Sequence, residues 1–297
     1  MFHADSHIGL QLSGQYNHCE KLIFAATPPY DGTLATYYNL HSSFAHKVPD
    51  NMTLEEASLM EPLSVAVYAA VSRGQVRAMQ NVLIFGAGPI GLLTAAVCKA
   101  YGAKRVVVVD ILDDKLAFAK EFAASSIFKP SPPKEGEEKM ACSERNANDL
   151  VDSLSASDED NDVKRNGGFD LIMECTGAPP CIQTGLFAAK PRAKFVQVGM
   201  GPSDVILPLH RINIREIDMT GVSGPSLFQL NARGANSSSL WPSRSDTALA
   251  RTRRPSISSL LAKSTLARSS RTATRSRTVS RPSTRPLKAR AKTARRS

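Results

Sequence analysis

The chain has little with which to cross-link itself, span a bilayer or enter a secretory route. Its five cysteines, Cys19, Cys98, Cys142, Cys175 and Cys181, form no CxxC pair and no repeated spacing. That argues against a disulfide framework and fits a reducing, cytoplasmic setting. No stretch approaches the ~18 apolar residues of a membrane span, so no membrane partner is expected. Met1-Phe-His-Ala-Asp5 lacks the basic-then-apolar order of a signal peptide. Acids nearly vanish in one region: 223–297 holds Asp246 alone against 17 Lys and Arg, a formal +16. The whole chain is +10, which leaves residues 1–222 at −6. The net basicity belongs to the last quarter of the chain and says nothing about the body.

What the body does have is Asn81-Val-Leu-Ile-Phe-Gly86-Ala-Gly88-Pro89-Ile90-Gly91, followed by Arg105-Val-Val-Val-Val-Asp110. An apolar run ends in a glycine turn, a small-residue helix begins, and a second apolar run closes on an acid. Gly86 permits the tight turn off the strand, and Gly88 lets the backbone approach a pyrophosphate. Gly91 lets the helix lie close on the strand, and the helix N-terminus offers amides to the anion. Asp110 lies nineteen residues past Gly91, where a carboxylate accepts from the adenosine ribose and repels a 2′-phosphate. The pattern points to a dinucleotide, NAD rather than NADP.

Around this unit, strand-like and helix-like stretches alternate. The strand-like runs are Val82–Phe85, Arg105–Asp110, Ser126–Phe128, Phe169–Glu174, Lys194–Val198 and Asp218–Val222. Helices are expected at Ile90–Tyr101, Asp113–Phe122, Asn146–Ser155 and Pro180–Ala189. Short strands without polar alternation, separated by helices, predict an α/β fold with a doubly wound parallel sheet covered on both faces. The expected Rossmann domain is 71–222, after a fragment at 1–70. Residues 129–168, with Pro-Ser-Pro-Pro and Ser-Asp-Glu-Asp-Asn-Asp, read as a partly disordered polar insertion, with a phosphosite around Ser155 and Ser157 as the functional alternative. The segment 223–297, with 25 Ser or Thr and no apolar period, is expected to be a disordered basic tail.

Several further motifs carry a family resemblance. They are Phe24-Ala-Ala-Thr-Pro-Pro-Tyr-Asp-Gly-Thr-Leu-Ala35, Leu54-Glu-Glu-Ala57, Glu61-Pro-Leu-Ser-Val-Ala-Val67 and Gly86-Ala-Gly-Pro-Ile-Gly91. Glu174-Cys-Thr-Gly177, Cys181-Ile-Gln-Thr-Gly185, Phe195-Val-Gln-Val-Gly-Met-Gly201 and Ile214-Arg-Glu-Ile-Asp218 belong to the same set. Together they resemble the zinc-dependent medium-chain polyol dehydrogenases, from about Gly14 to Val222. The resemblance implies that 1–70 is a remnant of a GroES-like β domain. It also implies cofactor contacts at Ile90, Asp110 and Lys115, where the family usually has Arg, and that Val198, Gly199 and Met200 lie on the nicotinamide side. Glu61 matches the carboxylate that holds the zinc-bound water or approaches the metal. The implied cofactors are NAD and zinc, the implied substrate is a small polyol, and a homo-oligomer is compatible with the family.

The departures from the pattern set further expectations. The family's catalytic Cys and Gly-His-Glu motif have no counterpart before Gly14, and His3 and His7 are not expected to bind metal. Cys19 matches one of four structural zinc cysteines and is expected to be a plain thiol. Cys175 and Cys181 are expected to be core thiols. Pro191-Arg-Ala-Lys194 replaces a Gly-Gly turn and predicts a positive φ at Arg192 or Ala193. After Val222 the family pattern gives way to Ser223-Gly-Pro-Ser226. This reads as a shifted frame or mispredicted exon, with an authentic tail as the alternative. Absent the helices beyond the sixth strand, Val196, Val198 and Met219 are expected to be partly exposed. The expected function is an NAD-dependent polyol dehydrogenase type, inactive as written. The alternatives are a non-catalytic NAD-binding remnant or a nucleic-acid-binding tail. Nucleic acid is the less favoured partner, because only Trp241 and Phe228 offer the tail aromatic rings.

Overall fold

The structure is a computed structural model that describes residues 16–18, 25–26, 29–39, 45–155 and 162–222. The expectations for His3, His7, Cys19, Ser157 and 223–297 lie outside the described residues. The first regular helix after the Lys47 region is α1 (Leu54–Ser58), closed by a reciprocal cap. Thr53 Oγ1 accepts from Glu56 N at 3.2 Å while Glu56 Oε2 accepts from Thr53 N at 2.9 Å. Helix α2 (Met60–Val67) follows and runs into a π-helical turn at Tyr68–Arg73. Among the described residues of 1–70 there is no strand. Ala66, Ala69 and Ala70 are buried in the main core. The border expected at residue 70 therefore falls inside a helix that packs on the sheet domain.

The domain proper is β1 (Asn81–Phe85), α3 (Pro89–Ala100), β2 (Arg105–Val109), α4 (Asp113–Phe122), β3 (Ser126–Phe128), α5 (Lys139–Ser155), α6 (Asp162–Arg165), β4 (Phe169–Glu174), α7 (Pro179–Ala188), β5 (Ala189–Gln197), α8 (Leu209–Ile214) and β6 (Asp218–Gly221). All six strands are parallel, in the order β3-β2-β1-β4-β5-β6. Alternate residues explain the apolar runs. Val82, Ile84, Val106 and Val108 join one core with Ala95, Cys98 and Ala119. Leu83, Phe85, Val107 and Val109 join the other with Ala147, Leu150 and Leu186. A strand covered on both faces has no polar side to show.

Three expectations need correction. Within 129–168, read as a partly disordered insertion, residues 139–155 form a packed helix longer than the expected one at Asn146–Ser155. Helix α5 begins at Lys139 and buries Cys142, Ala147, Leu150 and Leu154. The Pro-rich strap before it is pinned: Asn146 Oδ1 accepts from Ser131 N at 2.8 Å, and Arg145 grips Glu137 through two bonds of 2.8 Å. A parallel crossover from β3 to β4 needs a covering layer, and this helix supplies it. Val196 is fully buried and Val198 half-buried; of the three side chains, Met219 is exposed, at 37%. Strand β5 starts at Ala189 rather than Lys194, and its pairing with β4 shifts between Phe169 and Leu171. The positive φ predicted nearby is at Arg192, at 60°.

Candidate dinucleotide site

Strand order reverses beside β1, so the C-terminal ends of β1 and β4 open a crevice at the topological switch point. Gly86 turns the chain out of β1 with φ 94°. A Cβ on Gly91 would stand 1.9 Å from the Gly86 carbonyl oxygen, so only glycine lets α3 lie this close to the turn. A Cβ on Gly88, by contrast, would meet nothing within 4 Å. The space above it is open, as a pyrophosphate approaching the backbone requires. Gly88 caps α3, Pro89 opens it, and the amides of Ile90 and Gly91 precede its first intrahelical bond, Leu92 N to Gly88 O at 2.9 Å.

Asp110 follows β2 and reaches back to this turn. Its Oδ2 accepts from Ala87 N at 2.8 Å and its Oδ1 from Leu112 N at 3.0 Å. Two bonds orient the carboxylate and leave acceptor capacity on both oxygens for a ribose. Lys115 is exposed on α4, in the helix that Asp110 precedes.

On the other side of the crevice, Val198 and Gly199 leave β5, and both amides donate to the Glu174 carbonyl oxygen at 2.8 Å. Met200 is 95% exposed. Thus Gly86, Gly88, Pro89, Ile90, Gly91, Asp110, Val198, Gly199 and Met200 share one edge of the sheet. The sequence reading assigned no role to the Glu174 carboxylate. It is fully buried and receives Thr176 N at 2.9 Å, Gly177 N at 2.8 Å, Gln197 Nε2 at 2.7 Å and the Thr176 hydroxyl. An acid closing the apolar run Phe169-Asp-Leu-Ile-Met-Glu174 was the available signal.

Glu61 is exposed on the first turn of α2, a helix that packs against α3. Among the described residues no group of three His, Cys, Asp or Glu side chains lies close enough to hold an ion. The described donors thus fit a dinucleotide and do not fit zinc. Cysteine does not fill that gap. Burial pushes the Cys98 thiol up to about 12 and Cys181 to about 11, and raises Cys175 well above its ordinary value. Neutral, inward thiols are poor ligands and nucleophiles. Among the described residues no helix is long and apolar enough to cross a membrane.

The six-stranded sheet and its crevice define a doubly wound Rossmann domain. Residues 89–235 match the family model described as zinc-binding dehydrogenase. D-xylulose reductase A of Aspergillus oryzae is 43% identical over 208 residues, 70% of this chain and 53% of that protein. Galactitol-1-phosphate dehydrogenase from Escherichia coli is similar at TM-score 0.60 and 27% identity, covering 75% of this chain and 61% of that one. L-idonate 5-dehydrogenase from the same organism gives TM-score 0.59 at 25% identity, covering 75% and 59%. Residues 89–235 thus belong to the zinc-binding dehydrogenase family, and the chain spans about half the length of the curated relatives it matches.

Proposed function

We propose that the chain is an NAD(H)-binding member of the polyol dehydrogenase group, in which 71–222 supplies the cofactor half of a hydride-transfer enzyme. The observation that carries this reading is the open glycine turn facing an oriented Asp110. Gly86, Gly88, Pro89, Ile90 and Gly91 would hold the pyrophosphate, and Asp110 the adenosine ribose. Lys115 lies near the same half, with Val198, Gly199 and Met200 on the nicotinamide side. When bound, the nicotinamide accepts or donates hydride; the chain's own residues bind and orient it. A polyol such as xylitol or sorbitol is the proposed substrate class, by likeness to the D-xylulose reductases. Glu61 is the proposed catalytic and metal-side carboxylate where a complete zinc site exists.

Titration calorimetry of the full chain with NADH and NADPH tests the cofactor assignment. NADH is expected to bind at least about tenfold more tightly, because a 2′-phosphate would face the Asp110 charge. Asp110→Ala is expected to narrow that ratio, mainly by removing repulsion. Equal or tighter binding of NADPH by the unaltered chain refutes the assignment.

A further inference from the structure

The Glu174 carboxylate is fully buried and receives four hydrogen bonds, and binding and catalysis as described above make no use of it. Burying a carboxylate is costly unless charge-assisted bonds replace its water. Here four donors do so. They come from two different segments: Thr176 and Gly177 follow β4, while Gln197 ends β5. Gln197 Nε2 also donates to Gly199 O at 2.7 Å. The Glu174 carbonyl holds Val198 N and Gly199 N. Both ends of one residue thus tie the 175–178 turn to the 198–201 turn.

The two turns meet backbone to backbone. A Cβ on Gly199 would lie 2.2 Å from Gly177 N, one on Gly177 2.4 Å from Met200 C, and one on Gly201 1.8 Å from Gly177 O. On its other side the Thr176 methyl abuts Gly86: a Cβ there would lie 2.9 Å from Thr176 Cγ2. Hydrogen bonds from a buried anion therefore set the relative position of three segments that border the crevice.

We propose that Glu174, with Gln197, is a positioning residue for the nicotinamide half of the site. It holds Val198–Met200 against the glycine turn without contributing to the adenosine half, which rests on Asp110 and the α3 N-terminus. This inference rests on the dinucleotide reading above. Its test separates the two by comparing NADH with ADP-ribose, which lacks only the nicotinamide.

The full chain, E174Q and Q197L are titrated with both ligands, with circular dichroism reporting the fold. The unaltered chain is expected to prefer NADH. In E174Q, ADP-ribose affinity is expected to stay within about twofold while NADH affinity falls about tenfold, the size of effect that follows when buried donors lose their acceptor. Q197L, which removes one strut and keeps the carboxylate, is expected to show the same pattern at about threefold. If E174Q does not fold, the ratio measured on Q197L decides. Proportional loss of both ligands, or unchanged NADH affinity, overturns the positioning role. Failure of the unaltered chain to bind ADP-ribose overturns the dinucleotide reading itself, and this inference with it.

Discussion

Asp162 shows how a single residue anchors the lower edge of the sheet. It receives Lys104 Nζ at 2.7 Å and Asn81 Nδ2 at 3.1 Å, with Arg105 at 3.8 Å. Burial by itself would raise its pKa, but the Lys104 and Asn81 hydrogen bonds and the Arg105 charge outweigh that and hold it below the ordinary carboxylate value. A folded pKa below the unfolded one stabilises the fold above the unfolded value, and that gain is lost as pH falls through the folded value. Asp162→Ala is expected to cost about 1–3 kcal/mol near neutral pH, because Asn81 and Lys104 lose their acceptor and Arg105 its counter-charge. In urea melts, the gap between the two proteins is expected to close as pH drops below about 4, the ordinary aspartate pKa. A gap that widens in acid would contradict the assigned direction.

At the scale of elements, α5 is the piece whose importance composition hides. Its polar sequence reads as solvated, yet Ala147, Leu150 and Leu154 recur at helical spacing and enter the second core. Leu150→Ala is expected to destabilise the domain by about 2–5 kcal/mol, the range for a fully buried leucine. The strap before it behaves differently. Arg145 holds Glu137 down to about 2 and donates to Pro132 O at 3.0 Å. Arg145→Ala is therefore expected to leave the melting transition little changed while speeding trypsin cleavage at Lys134 and Lys139. Equal cleavage rates would show that the clip does not secure the strap.

For the whole molecule, the decisive contrast lies between the open crevice at the switch point and the lack, among the described residues, of a side-chain group that could hold a metal ion. Zinc catalysis of alcohol oxidation needs about three protein ligands and an open position. Glu61 has no such companions among the described residues. The 297-residue polypeptide is expected to bind NADH yet show no zinc-dependent oxidation of xylitol or sorbitol, checked by metal content and NADH formation. One tightly held zinc per chain, with turnover abolished by Glu61→Gln, would reverse this expectation. The sheet ends on β6, whose outer edge has no strand beside it among the described residues. Arg73 braces that strand, donating to Gly221 O at 3.2 Å and to the Thr220 hydroxyl.

The parallel sheet, the glycine turn and Asp110 could be read directly from residue order. Each depends on local chemistry: apolar runs of strand length, glycine where a Cβ would collide, and an acid at a fixed distance along the chain. The same holds for the positive φ at Arg192, which follows from a turn lacking glycine. The roles of α5, Val196 and Glu174 could not be read that way, because each depends on partners far along the chain. Leu150 is buried only because α7 and the sheet lie beneath it. Glu174 meets Gln197 only because β4 and β5 are parallel neighbours. Residue order determined which segments become strands and where a glycine turn leaves the backbone open. Tertiary structure decided which polar side chains would be buried together, since only packing brings a buried acid to its donors.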